Sequence, residues 1–156
     1  MSVRYSTIAA DIKTKLEGVP GTGIIHAYER QIAEMAKFIA LFKDPDGKIC
    51  GWEITRRAVP EHRAGAVFRH HQMILQGYMG LQDAAASSSV FQDQCDDVCD
   101  LFRAAEQPQS ATWQYRNGDE PDKTPVQIEL IADRMFSNVL CHHAVIRVSV
   151  TERILP

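Results

Sequence analysis

The chain has 156 residues, 45% of them apolar and 24% charged, with a net charge of −3. That length suits one domain spanning 1–156, able to bury a core without staples, and the balance excludes a disordered or fibrous chain. Mild acidity gives no overall basic footprint for nucleic acid. No run approaches the roughly eighteen consecutive apolar residues that a bilayer requires, and MSVRYSTIAADIK lacks the apolar core of a signal peptide, so a protein made in the cytoplasm with no membrane partner is expected.

From Ser6 to Leu16, Ile8, Ile12 and Leu16 recur at every fourth position, which predicts an amphipathic helix capped by Ser6 or Thr7 and ended at Gly18. GVPGTG then breaks the chain before a short strand over 24–28. Residues 31–42 (QIAEMAKFIALF) place Ile32, Met35, Ala36 and Ile39 on one helical face, yet can also end as a strand. Asp44-Pro45-Asp46-Gly47 is a turn, because proline presets the backbone at its second position and glycine closes it. Extended chain follows over 49–56. A charged, proline-containing connection over 57–65 leads to a long strand at 66–79, whose apolar residues on both faces place it centrally in a sheet.

The firmest local pattern is the helix around Phe91, Cys95, Val98 and Phe102, joined by Leu101 and Ala105, with Asp93, Asp96, Asp97 and Asp100 opposite and Ser87–Ser89 available as its cap. The long polar segment 106–125 carries two aromatics expected to be exposed, Trp113 and Tyr115. Val126, Ile128, Leu130 and Ala132 then alternate with polar residues, as do Ala144, Ile146, Val148 and Val150, and an antiparallel hairpin joins the two runs. The fold expected is α+β, a mainly antiparallel sheet with two or three helices packed on one face.

Candidate chemistry is sparse. Cys50, Cys95, Cys99 and Cys141 read as reduced, mostly buried thiols. His70-His71 and His142-His143 offer imidazoles for a metal, but neighbours on a strand face opposite ways, so each doublet gives a shared site at most one ligand. Cys141 has histidines beside it only in sequence, and a nucleophile requires facing geometry. GVPGTG lacks the residues of a phosphate-binding loop, and Ser87–Ser89 lack a nucleophile-elbow pattern. No catalytic residue, cofactor site or metal site is assigned. What stands out is charge segregation. Arg56, Arg57, Arg63 and Arg69 crowd one segment, Asp93, Asp96, Asp97 and Asp100 another, and Asp119, Glu120 and Asp122 add a third, which suits contacts between identical subunits.

Three segments together, HAYERQIAEMAKFIALFKDPDGKICGWEITRR, ILQGYMGLQDAAASSSVFQDQCDDVCDLFRA and ADRMFSNVLCHHAVIRVSVTERI, resemble the tail terminator (tail completion) proteins of long-tailed bacteriophages. The resemblance covers most of the chain. It implies helices beside a mixed or antiparallel sheet, a virion protein at the head-proximal end of the tail, and a homo-oligomeric, hexameric ring on the tail-tube protein that meets the head-closure or neck protein. It further implies no cofactor, no enzymatic activity, and a channel through which DNA passes without sequence-specific binding. Subunit contacts are then expected at the four arginines, the four helix aspartates, Trp113 and Tyr115. Another head-tail joining or tail-tube protein is the near alternative. Two other classes stay open: a small metal-dependent enzyme using His70 or His71 with His142 or His143, and a nucleic-acid binder using the stretch from Arg56 to His71.

Overall fold

The computed structural model describes residues 1–28, 35–82, 85–103, 112–118, 123–136 and 138–155. Along them run α1 (Tyr5–Glu17), β1 (Ile24–His26), α2 (Met35–Phe42), β2 (Cys50–Ala58), β3 (Glu61–Ala64), β4 (Ala66–Gly80), α3 (Ser87–Arg103), β5 (Trp113–Tyr115), β6 (Val126–Phe136) and β7 (Val139–Ile154). The class is α+β with a mostly antiparallel sheet, since among the described residues only β1 pairs in parallel, with β2.

The sheet is built on the long β4–β7 pair, in register from Val67 opposite Ile154 to Gly80 opposite Cys141. β2 and β3 follow one another along the outer edge of β4, and β5 and β6 along the outer edge of β7. The segment 57–65 is therefore no loose connection. β2 continues to Ala58, and β3 folds back on β4 through a turn in which Gly65 takes a φ of +74°.

Helices α1 and α3 share one face, as expected. From α1 come Ile8, Ile12 and Leu16, and from α3 Phe91, Cys95, Val98, Cys99 and Phe102, all buried against Trp52, Ile54, Met73, Leu75, Ala144, Ile146, Val148 and Val150. Trp52 lies flat across Gly77, where a β-carbon would come within 2.6 Å of the indole. The indole N–H donates to Gln94 Oε1 at 3.1 Å, so burying it leaves no polar atom stranded. Helix α1 starts one residue before Ser6, with Arg4 at the cap position; Arg4's carbonyl accepts the amides of Thr7 and Ile8, and no side chain caps the first turn.

The third helix departs from expectation. Phe38 and Phe42 of α2 pack with Tyr78 and Cys141, which the strand register places on the opposite face of the sheet. Gly51 makes room for it, since a β-carbon there would meet the Phe42 ring at 2.3 Å. Ala36 is exposed and Ile39 half-buried, so the buried stripe is Phe38–Phe42 and the 36/39 stripe faces outward; Ile32 lies outside the described residues. Aromatic bulk at an i, i+4 spacing outweighed the smaller residues.

Two β-bulges shape the sheet. One lies between Arg56 and Ala58 on β2, the other between Ile128 and Leu130 on β6. The second breaks the expected alternation: Val126 and Ile128 face α3, but past the extra residue Leu130 and Ala132 turn to the other face, while Ile131 pairs with Ala144 and Asp133 with His142.

Candidate functional site

The four arginines of the basic segment have different occupations. Arg56 lies 5.3 Å over the Tyr5 ring, and its Nη1 is 3.4 Å from His71 Nδ1. Arg69 Nε sits 2.6 Å from Glu61 Oε1, too poorly aligned for a hydrogen bond, and its Nη1 is 3.9 Å from Glu152. Glu152 is buried and accepts hydrogen bonds from His71 Nε2–H at 3.1 Å and from the Val3 amide. Burial drives the His71 pKa below its ordinary value. Glu152 pulls it back, and the two arginines push it further down. A neutral His71 thus donates to Glu152 and accepts from Arg56, so both arginines are committed to holding the sheet end against the N-terminal arm.

Arg57 and Arg63 are the ones left outward. Arg57, the extra residue of the first bulge, reaches 3.2 Å to Glu129, the extra residue of the second, which also lies 3.6 Å from Arg147. Arg63, on exposed β3, makes no ion pair among the described residues.

The acidic surface is as expected on α3. Asp93, Asp96, Asp97 and Asp100 are all exposed, and only Asp100 is paired among the described residues, with Arg103. Asp119, Glu120 and Asp122 lie outside the described residues. Trp113 and Tyr115 correct the sequence reading. They form β5, are only 7% and 8% exposed, and face the α3 side; Tyr115 packs on Phe102 and donates its hydroxyl to Asp11. A three-residue strand in a polar segment carries too little periodicity to reveal its buried face.

The histidine doublets are not brought together. His71 pairs with Val150 and His142 with Met79, so eight residues of β7, roughly 26 Å of strand, separate them. His70 Nε2 lies 3.1 Å from His62 Nδ1, and its Nδ1 lies 3.2 Å from Thr151 Oγ1. No group of three metal-ligating side chains occurs among the described residues. His143 stacks on Tyr78, gives Nε2–H to Gln76, and leaves Nδ1 buried without a partner. Burial, with Arg134's charge adding, lowers its pKa to about 4. Burial also raises Cys95 to about 12 and Cys141 to about 11, which keeps both as thiols.

His142 has a different setting. Its Nδ1 is 2.6 Å from Asp133 Oδ1 and its Nε2 is 2.8 Å from Ser87 Oγ, so an aspartate, a histidine and a serine stand in line across β6, β7 and the first residue of α3. Ser87 Oγ also accepts the Gln82 amide at 2.8 Å, and its own amide donates to Gln82's carbonyl. The hydroxyl expected to cap α3 is thus engaged in a tertiary contact. Part of this was within reach of the sequence, since a hairpin that sets Phe136 opposite Val139 also pairs Asp133 with His142. The serine arrives only through the packing of α3.

No protein-family model matches the chain and no curated protein matches it, which leaves these side-chain arrangements as the ground for a functional reading.

Proposed function

We propose that this chain is a structural subunit of a bacteriophage tail, tail-terminator-like in fold, which assembles with copies of itself into a ring, six-membered by the family resemblance. The ring caps the tail tube and meets the head-closure complex. The observation that carries the reading is the separation of two outward-facing surfaces of opposite charge on one subunit. Asp93, Asp96 and Asp97 line the outer side of α3, while Arg63 on the β3–β4 hairpin and Arg57 at the bulge stand elsewhere and make no ion pair with them. A ring built by repeating one head-to-tail contact needs two different, complementary surfaces on each copy. The net charge of −3 per subunit, repeated around a channel, favours passage of DNA over adhesion.

The test is the position of the protein in assembled particles, by labelling of intact virions and image reconstruction, alongside its mass in solution. A ring at the head-proximal end of the tail is expected. Subunits distributed along the tube, in the neck only, or absent from the particle would replace this assignment.

A further inference from the structure

We infer that Ser87, His142 and Asp133 form a nucleophilic relay able to cleave a small carboxylic ester with an apolar acyl group. The inference stands independently of the ring assignment. It rests on three observations. The hydrogen bonds run in the sense that nucleophile activation requires: Asp133 accepts from His142 Nδ1–H at 2.6 Å, which leaves Nε2 unprotonated to accept the Ser87 hydroxyl at 2.8 Å. Ser87 and His142 are buried while Asp133 is 58% exposed, so the reacting pair is shielded and its orienting carboxylate sits at the rim. Finally, Ser87 lines a cavity of about 350 Å³ whose wall includes Ile49, Met79 and Val90, with Asp44, Asp46 and Lys48 also lining it. Met79 is the cross-strand neighbour of His142, so the imidazole stands beside that wall on the same face of the sheet.

The local backbone suits the role. Ala86 takes a φ of +50°, a left-handed conformation that a non-glycine residue adopts only where its surroundings impose it, and this sharp turn delivers Ser87 to the start of α3. The positive end of a seventeen-residue helix therefore lies at the hydroxyl, where negative charge develops on an attacked carbonyl.

The reaction balances with water as the only co-reactant. Ser87 Oγ bonds to the ester carbonyl carbon as its proton passes to His142 Nε2. The C–O bond to the alcohol breaks, and the alkoxide takes that proton. Water then attacks the acyl-serine with His142 as base, releasing the carboxylic acid and restoring the hydroxyl. Asp133 holds the imidazole tautomer and acts as a positioning residue; Ser87 and His142 are the catalytic residues.

The probe is an alkyl fluorophosphonate, with p-nitrophenyl butyrate as chromogenic ester. Expected is one adduct per chain, mapped to Ser87 by peptide mass spectrometry, with loss of fluoride. Ser87→Ala should remove both the adduct and ester turnover, whereas Ser88→Ala and Ser89→Ala should retain them. Asp133→Asn should slow both by at least about tenfold, and Asp133→Glu should recover most of the rate, which a merely structural contact at this exposed position would not reproduce. Circular dichroism establishes that each variant is folded. Absence of any adduct under conditions that label an authentic serine hydrolase to completion, or labelling at another serine, would overturn the relay. So would equal rates for wild type and Asp133→Asn.

Discussion

Two buried imidazoles set the acid behaviour of the fold. His143 has its pKa lowered to about 4, and His71 is lowered as well, burial being the first cause for both. In the unfolded chain each returns to about 6.5, so below that pH the unfolded state binds protons that the folded state refuses. Stability that His143 contributes above about pH 6.5 is therefore lost as pH falls toward 4, at up to roughly 1.4 kcal/mol per pH unit, and His71 adds a loss of the same sign. Urea midpoints measured between pH 7 and 5 should fall steadily, and His143→Phe, which keeps an aromatic ring against Tyr78 and Phe136, should flatten the slope. A slope unchanged by that substitution would show that His143 does not carry the effect. Neither role was legible in the sequence. The alternation in β7 assigns His143 to the polar side, but α2 covers that side with Phe38 and Phe42, a consequence of where a helix packs and not of local pattern.

At the scale of elements, legibility followed length and periodicity. Helix α3 repeats its apolar residues over seventeen positions, and both its buried face and its aspartate face are as the spacing indicates. β4 and the core of β7 were equally plain. What failed was short or broken by a bulge: β5 with three residues, β3 with four, and β6 beyond Ile128, where one extra residue exchanged the two faces. Exposure divided in the same way, since the α3 aspartates lie outside as the spacing indicates while Trp113 and Tyr115 proved to be core. The α3 face gives a quantitative prediction. Phe102 is fully buried and packs on Tyr115, so Phe102→Ala should destabilise the protein by about 3 to 5 kcal/mol, part of it the cavity left behind. On the same helix Asp96→Ala and Asp97→Ala should each stay within about 0.5 kcal/mol. Chemical denaturation of the three variants checks both halves, and a loss under about 1 kcal/mol for Phe102→Ala would mean that the site collapses around the missing ring.

For the whole molecule, the four arginines divide into two that hold the chain's own fold, Arg56 and Arg69, and two that point outward, Arg57 and Arg63. Arg56 and Arg69 support the buried His71–Glu152 pair, so reversing them should weaken the monomer itself. Arg57 contributes only a partly exposed pair with Glu129, of the kind worth about 0 to 1 kcal/mol, and Arg63 has no ion pair among the described residues. The double variant Arg57→Glu, Arg63→Glu should therefore leave the monomer's denaturation midpoint nearly unchanged. At a ring contact facing Asp93, Asp96 and Asp97 it would set like charges against each other, a cost on the order of 2 kcal/mol per contact and enough for a tenfold or greater loss of ring-bearing tails. Reversing those aspartates to lysine in the same chain should restore part of the assembly, because the attraction then runs with its signs exchanged. Counting terminated tails by electron microscopy for the wild type, the arginine variant and the combined variant decides the matter. Assembly undiminished in the arginine variant would remove the β2–β3 end from the interface, and the contact could not then pass to Trp113 and Tyr115, whose side chains are already spent on the core.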